Sequence, residues 1–218
     1  MLIFLTKFLT NRNFPGVKDH QTNVQPYKAL QIGPIDFYLC PKCATNTLRY
    51  ASYKYNHLDS SLVLPEYRKG SNDYDMLKLT NSEITYQKER SNSIKVAVCR
   101  DPVERFESAV AWYNFRNKSM PNVNVYHRDD KHRDINMVLQ KIPFDIHFYP
   151  QTEFYGDPTK YDLIIRPDKI RSTIRENAGV DFGNLHVGKN PNDYEKANDE
   201  QVKIIKEIYK EDYMNGYV

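Results

Sequence analysis

A short apolar run that stops at a proline and gives way at once to a hydroxyl-rich helix start restricts this chain more than any other feature. Ile35-Asp36-Phe37-Tyr38-Leu39-Cys40 reads as a buried strand, Pro41-Lys42-Cys43-Ala44-Thr45-Asn46-Thr47 as a tight turn, and Leu48-Arg49-Tyr50 as the first turn of a helix. A strand, a turn and a helix N-terminus in succession present unpaired backbone N–H groups at the positive end of a helix dipole, which suits phosphate or sulfate. Lys42 adds charge, and Thr45 and Thr47 add hydroxyls. The nucleotide patterns GxxxxGK[ST] and GxGxxG are both absent. The plainer alternative is a strand-to-helix turn whose threonines only cap the helix.

A second constellation lies downstream. Ile94-Lys95-Val96-Ala97-Val98-Cys99 is the clearest strand of the chain, and Arg100-Asp101-Pro102 ends it. Asp101 suits an N-cap, Pro102 the first helical position and Glu104 the first turn of a helix reaching about Phe115. Val103, Phe106, Val110 and Tyr113 recur at helical spacing along it. Arg100 at the strand end and Ser108 two turns into the helix would hold a second phosphate, the arginine in bidentate fashion. The alternative is an ion pair of Arg100 with Asp101 or Glu104, with Ser108 neutral.

The remaining chain continues the alternation. A helix is expected from Thr45 to about Asn56, with Leu48, Ala51, Ser52 and Tyr55 inward. Ser61–Pro65 reads as a strand, residues 74–79 as a short helix, Lys118–Arg133 as a polar loop and Asp134–Lys141 as a helix. Tyr161–Arg166 is a further core strand, and Pro167 opens a helix to about Asn177. A last helix starts at Asn198 with Gln201 as its capping-box partner, carries Val202, Ile205, Ile208 and Tyr209 inward, and ends near Tyr213. Residues 1–34 read as an irregular approach, with core residues from 35 to 218 in a single domain. Alternating strands and helices indicate an α/β sandwich of three layers around a mostly parallel sheet, with ligands beyond the carboxyl ends of its strands.

Composition narrows the function classes. A hydrophobic content of 40% supports a packed core, and a net charge of only +3 with no dense Lys/Arg stripe points away from nucleic acid. The apolar start, Met1 to Leu9, is far short of the ~20 residues that span a bilayer, and it lacks a signal-peptide pattern. A soluble, cytoplasmic protein is the expectation. Cys40 and Cys43 form a C-x-x-C that could serve redox chemistry or half a zinc site. With Cys99 as the third and last cysteine, small core residues in a reducing compartment are the simpler reading.

Together the two constellations resemble the sulfotransferases that use 3′-phosphoadenosine 5′-phosphosulfate (PAPS), closest to the carbohydrate sulfotransferase branch. The loop Pro41 to Leu48 is similar to that family's 5′-phosphosulfate loop, and Val98 to Ala109 to its 3′-phosphate motif. His147-Phe148-Tyr149-Pro150-Gln151-Thr152-Glu153-Phe154 with Tyr161–Ile164, and Ile208–Tyr213, resemble later family segments. Where many members carry glycine or serine in the loop, this chain has Ala44 and Asn46, and Leu48 stands where an aromatic often follows.

The resemblance implies a P-loop nucleotide-hydrolase-like fold of microbial or viral origin, no metal, and sulfuryl transfer from PAPS to a carbohydrate hydroxyl, leaving adenosine 3′,5′-bisphosphate (PAP). It assigns Lys42, Cys43, Ala44, Thr45, Asn46 and Thr47 to the phosphosulfate, with Lys42 also catalytic, and Arg100 and Ser108 to the 3′-phosphate. Lys189, with Asn190 beside it, would close over the cofactor. Glu66 is the first candidate for the general base, His147 the second and His57 the third. A small alcohol, phenol or protein tyrosine acceptor, a kinase-like phosphotransferase, and a non-catalytic anion- or glycan-binding module are the alternatives.

Overall fold

The computed structural model describes residues 28–56, 87–88, 90–119, 134–140, 146–183 and 195–218. The strand expected at 61–65, the short helix at 74–79 and most of the polar loop before Asp134 lie outside the described residues. Strands are β1 (Lys28–Ile32), β2 (Ile35–Tyr38), β3 (Gln87–Lys88), β4 (Ile94–Val98) and β5 (Leu163–Ile165). Helices are α1 (Thr45–Asn56), α2 (Pro102–Ser119), α3 (Ile135–Gln140), α4 (Gln151–Tyr155), α5 (Ile170–Ala178), α6 (Asp199–Ile208) and α7 (Lys210–Met214). The fold class is mixed α/β, and the described residues form two compact units. One takes those between 28 and 99 and between 157 and 183. The other takes those between 100 and 156 and between 195 and 218.

The first unit is built on a five-stranded sheet of order β3-β1-β2-β4-β5. It is parallel through β2, β4 and β5, and antiparallel where β1 and β3 add to the other edge. The irregular approach expected through residue 34 is corrected at its end, because Lys28–Ile32 forms β1. Its physical basis is alternation: Leu30 lies opposite Phe37 and Ile32 opposite Ile35, so one apolar face continues across the hairpin. Gly33 turns the hairpin with a φ of +56°, and a Cβ there would sit 3.0 Å from both Ala178 Cβ and the Tyr55 hydroxyl.

That face, extended by Val96 and Val98, is covered by Leu48 and Ala51 of α1 and Ile170 and Ile174 of α5. Tyr55 packs at its margin. Ser52, also buried, donates its hydroxyl to Gln31 O at 3.0 Å and ties α1 to β1. Leu163 and Ile164 of β5 stay partly exposed. The helix expected from Pro167 begins as a 3-10 turn, Pro167–Lys169, before α5 takes over, and Gly179 closes it in the left-handed conformation.

The second unit is helical. Phe106, Ala109, Val110 and Tyr113 of α2 pack with Ile135, Val138 and Leu139 of α3, Phe148, and Ile205 and Tyr209 at the end of α6. The capping box at Asn198 forms with both of its bonds, 2.8 and 3.0 Å, and Gln201 also reaches Asn136 of α3. The single last helix expected to reach Tyr213 is two helices parted at Tyr209. The Tyr209 hydroxyl donates to Phe148 O at 2.6 Å, which anchors the break. Among the described residues no helix is long and apolar enough to cross a membrane.

Candidate functional site

The chain leaves β2 through a turn whose chemistry is unusual for its residues. Cys43 N–H donates to Cys40 O at 3.2 Å, closing a four-residue turn with Pro41 second and Lys42 third. Proline presets the second position, and the third takes φ = +68° at Lys42, a place glycine or asparagine normally fills. Ala44 repeats the left-handed conformation at φ = +59°. Each such residue costs about 1–2 kcal/mol when a Cβ is present. Strain of this kind persists where surrounding contacts fix it, and it concentrates at functional sites.

Several contacts fix it here. Thr45 Oγ1 donates to Cys40 O at 3.0 Å, binding the helix start back to the strand end. Leu48 N–H donates to Ala44 O at 3.0 Å, which makes Ala44 the residue from which α1 starts. The N–H groups of Thr45, Asn46 and Thr47 precede that bond and have no intrahelical carbonyl to use. Left-handed residues in a turn ahead of a helix form the backbone concavity that accepts anions. Cys43 is buried, and its N–H is spent on Cys40 O. Asn46 is exposed, and Lys42, Ala44, Thr45 and Thr47 are partly so. Of the six residues expected to meet a phosphosulfate, Lys42, Cys43 and Ala44 lie in the turn, and Thr45, Asn46 and Thr47 are the first three of α1.

Because Tyr38 pairs in parallel with Ala97, the carboxyl ends of β2 and β4 lie side by side in the sheet. Cys99 N–H continues the ladder to Ile165 O at 2.8 Å. Arg100 follows and begins the helical unit. Its guanidinium meets Glu104 one turn on, Nε to Oε2 at 3.3 Å, the ion pair that the plainer reading of this arginine anticipates. The bridge engages Nε and leaves both Nη nitrogens out of it. Asp101 caps α2, its Oδ1 accepting Val103 N–H at 2.9 Å and Glu104 N–H at 3.2 Å. Its Oδ2 takes the Tyr213 hydroxyl at 3.2 Å. Burial first, and then the Asp101 charge, push the Tyr213 hydroxyl well above its ordinary range, so it stays a donor. Ser108 lies on α2 with only 3% of its surface exposed.

Glu66, Lys189, Asn190 and His57 lie outside the described residues. His147 sits in the 3-10 turn Ile146–Phe148, its ring stacked on Trp112 of α2 with centroids 3.8 Å apart and planes 24° off parallel. Among the described residues no three His, Cys, Asp or Glu side chains gather as metal ligands would, and Cys40, Cys43 and Cys99 are all buried thiols.

The sequence does not single out Gln151. It is fully buried at the first residue of α4 and bonded to both main-chain groups of Arg100. Its signal was present in part, as a polar residue after Pro150 in an aromatic segment. No family model, curated protein or solved structure matches this chain.

Proposed function

We propose that the chain is a PAPS-dependent sulfotransferase of the P-loop nucleotide-hydrolase-like fold, acting on a carbohydrate hydroxyl. The observation that supports this reading is the strained turn after β2, with Lys42 and Ala44 both left-handed ahead of the α1 N-terminus. A purely connecting turn gains nothing from two left-handed residues with side chains, whereas an anion cradle requires the backbone to curl there.

In this reading the cofactor supplies an activated sulfuryl group on its 5′-phosphate. The loop N–H groups, from Ala44 to Thr47, hold the equatorial oxygens. Lys42 stabilises charge on the oxygen that remains with the phosphate when the sulfur–oxygen bond breaks. A general base takes the acceptor's hydroxyl proton as its oxygen bonds to sulfur, with Glu66 in that role and His147 as the alternative. Arg100 and Ser108 hold the 3′-phosphate, and Arg100 does so through the Nη nitrogens outside its bridge to Glu104.

The Arg100–Glu104 bridge itself favours a second reading, a module that binds anions through the loop alone and transfers nothing. Thermal-shift titration with PAP, ATP and sodium sulfate separates these readings. Selective stabilisation by PAP is the expected result. Equal response to all three assigns the loop to general anion binding, and a preference for ATP assigns it to phosphotransfer.

A further inference from the structure

Arg100 is held by its main chain at the point where the β4 ladder has ended. Gln151 Oε1 accepts Arg100 N–H at 2.9 Å, and Gln151 Nε2 donates to Arg100 O at 2.8 Å. A carboxamide that pairs with both main-chain groups of one residue reproduces the exchange a neighbouring antiparallel strand would make. The second Nε2 proton goes to Tyr217 O at 2.8 Å, so both of its protons are engaged.

Gln151 is held in turn. Asp212, fully buried, accepts Gln151 N–H at 2.9 Å on Oδ2, and Thr152 N–H and Thr152 Oγ1 at 2.8 Å each on Oδ1. Tyr217 N–H donates to Asp212 O at 2.8 Å, closing the network on the C-terminal segment. Burying this many polar groups gives little stability over an apolar filling of the same space, but it fixes geometry tightly.

We propose that Gln151 is the positioning residue for Arg100 in recognition of a nucleotide 3′-phosphate. This rests on the function proposed above. The carboxamide sets the Arg100 backbone, and the backbone sets where the guanidinium fork begins. The Tyr217 carbonyl keeps the carboxamide in one orientation, and Asp212 holds the Gln151 main chain from which it extends.

The test compares PAP with adenosine 5′-monophosphate, two nucleotides that differ only in the 3′-phosphate, by calorimetric titration of the full chain. Wild type is expected to prefer PAP by about tenfold or more, the range of charge-assisted bonds to phosphate. Gln151→Met, similar in length but without the amide, is expected to lose most of that preference while keeping its affinity for the monophosphate. Adding Arg100→Ala to it should then change little further. A Gln151→Met protein that melts lower but keeps the wild-type preference overturns the role and leaves only a structural one. If Gln151→Met does not fold, Asp212→Asn takes its place and should show the same selective loss in smaller degree. An unchanged preference there overturns the role as well. A wild type that does not distinguish the two nucleotides overturns the proposed function and this role together, a different outcome from a variant that retains full preference.

Discussion

The Asp36 carboxylate, wholly buried on β2, accepts Nε and Nη2 of Arg90 at 3.1 and 2.7 Å. It also takes the Ser93 hydroxyl at 2.6 Å and Arg90 N–H at 3.3 Å. Asp36 lies on the sheet face opposite Ile35 and Phe37, where a buried charge needs this many donors. The clasp joins β2 to the turn before β4, and so pins the two strands whose parallel ends lead to Lys42 and Arg100.

Arg90→Ala removes the fork and leaves the carboxylate with Ser93 and one N–H. Because Arg90 is itself 40% exposed, the expected loss is about 1.5–3 kcal/mol, the range for bonds to charged groups, and not the larger cost of an isolated buried ion. Urea unfolding measures it. A loss under half a kcal/mol would show that the clasp does not anchor the strand.

Ala44→Gly should stabilise the protein by about 0.5–1 kcal/mol. Relief of the left-handed strain, about 1–2 kcal/mol, outweighs the added chain entropy of glycine, about 0.5–1 kcal/mol. Ala44→Val should destabilise it. Equilibrium unfolding in urea checks both, and a destabilising Ala44→Gly would mean that Ala44 is not held left-handed in solution.

How far this region could be read from sequence follows from what each residue reveals. The strand Ile35–Tyr38 and the start of α1 were legible because an apolar run, a proline and hydroxyls each carry a local preference. The left-handed turn was not, because lysine and alanine hide a conformation that glycine would have announced. Strand β1 was masked by Gly33-Pro34, which reads as loop punctuation although it forms the hairpin turn itself. Gln151 was illegible for a different reason. Its partners Arg100, Asp212 and Tyr217 are remote in sequence, and no local pattern encodes them.

The Arg171–Asp181 pair gives a pH prediction. The Arg171 bonds, then Gly183 N–H, hold the Asp181 carboxyl down to about 2, from an ordinary 3.8. A depressed folded value means that the contribution is complete above about pH 4 and is lost as pH falls toward 2. Both side chains are exposed, so the effect is small and screened by salt. Melting temperatures of wild type and Asp181→Asn should differ at pH 6 in low salt and converge near pH 2. A difference that persists unchanged at pH 2 would contradict the assignment.

The proposed function has Lys42 and Arg100 serve opposite phosphates of one nucleotide. Calorimetric titration of wild type, Lys42→Ala and Arg100→Ala with PAP, adenosine 5′-monophosphate and adenosine 3′-monophosphate tests it most directly. Lys42→Ala should bind PAP no better than it binds the 3′-monophosphate, and Arg100→Ala no better than it binds the 5′-monophosphate, each with a loss of about tenfold or more against wild type. Wild-type PAP affinity in both variants would contradict the claim.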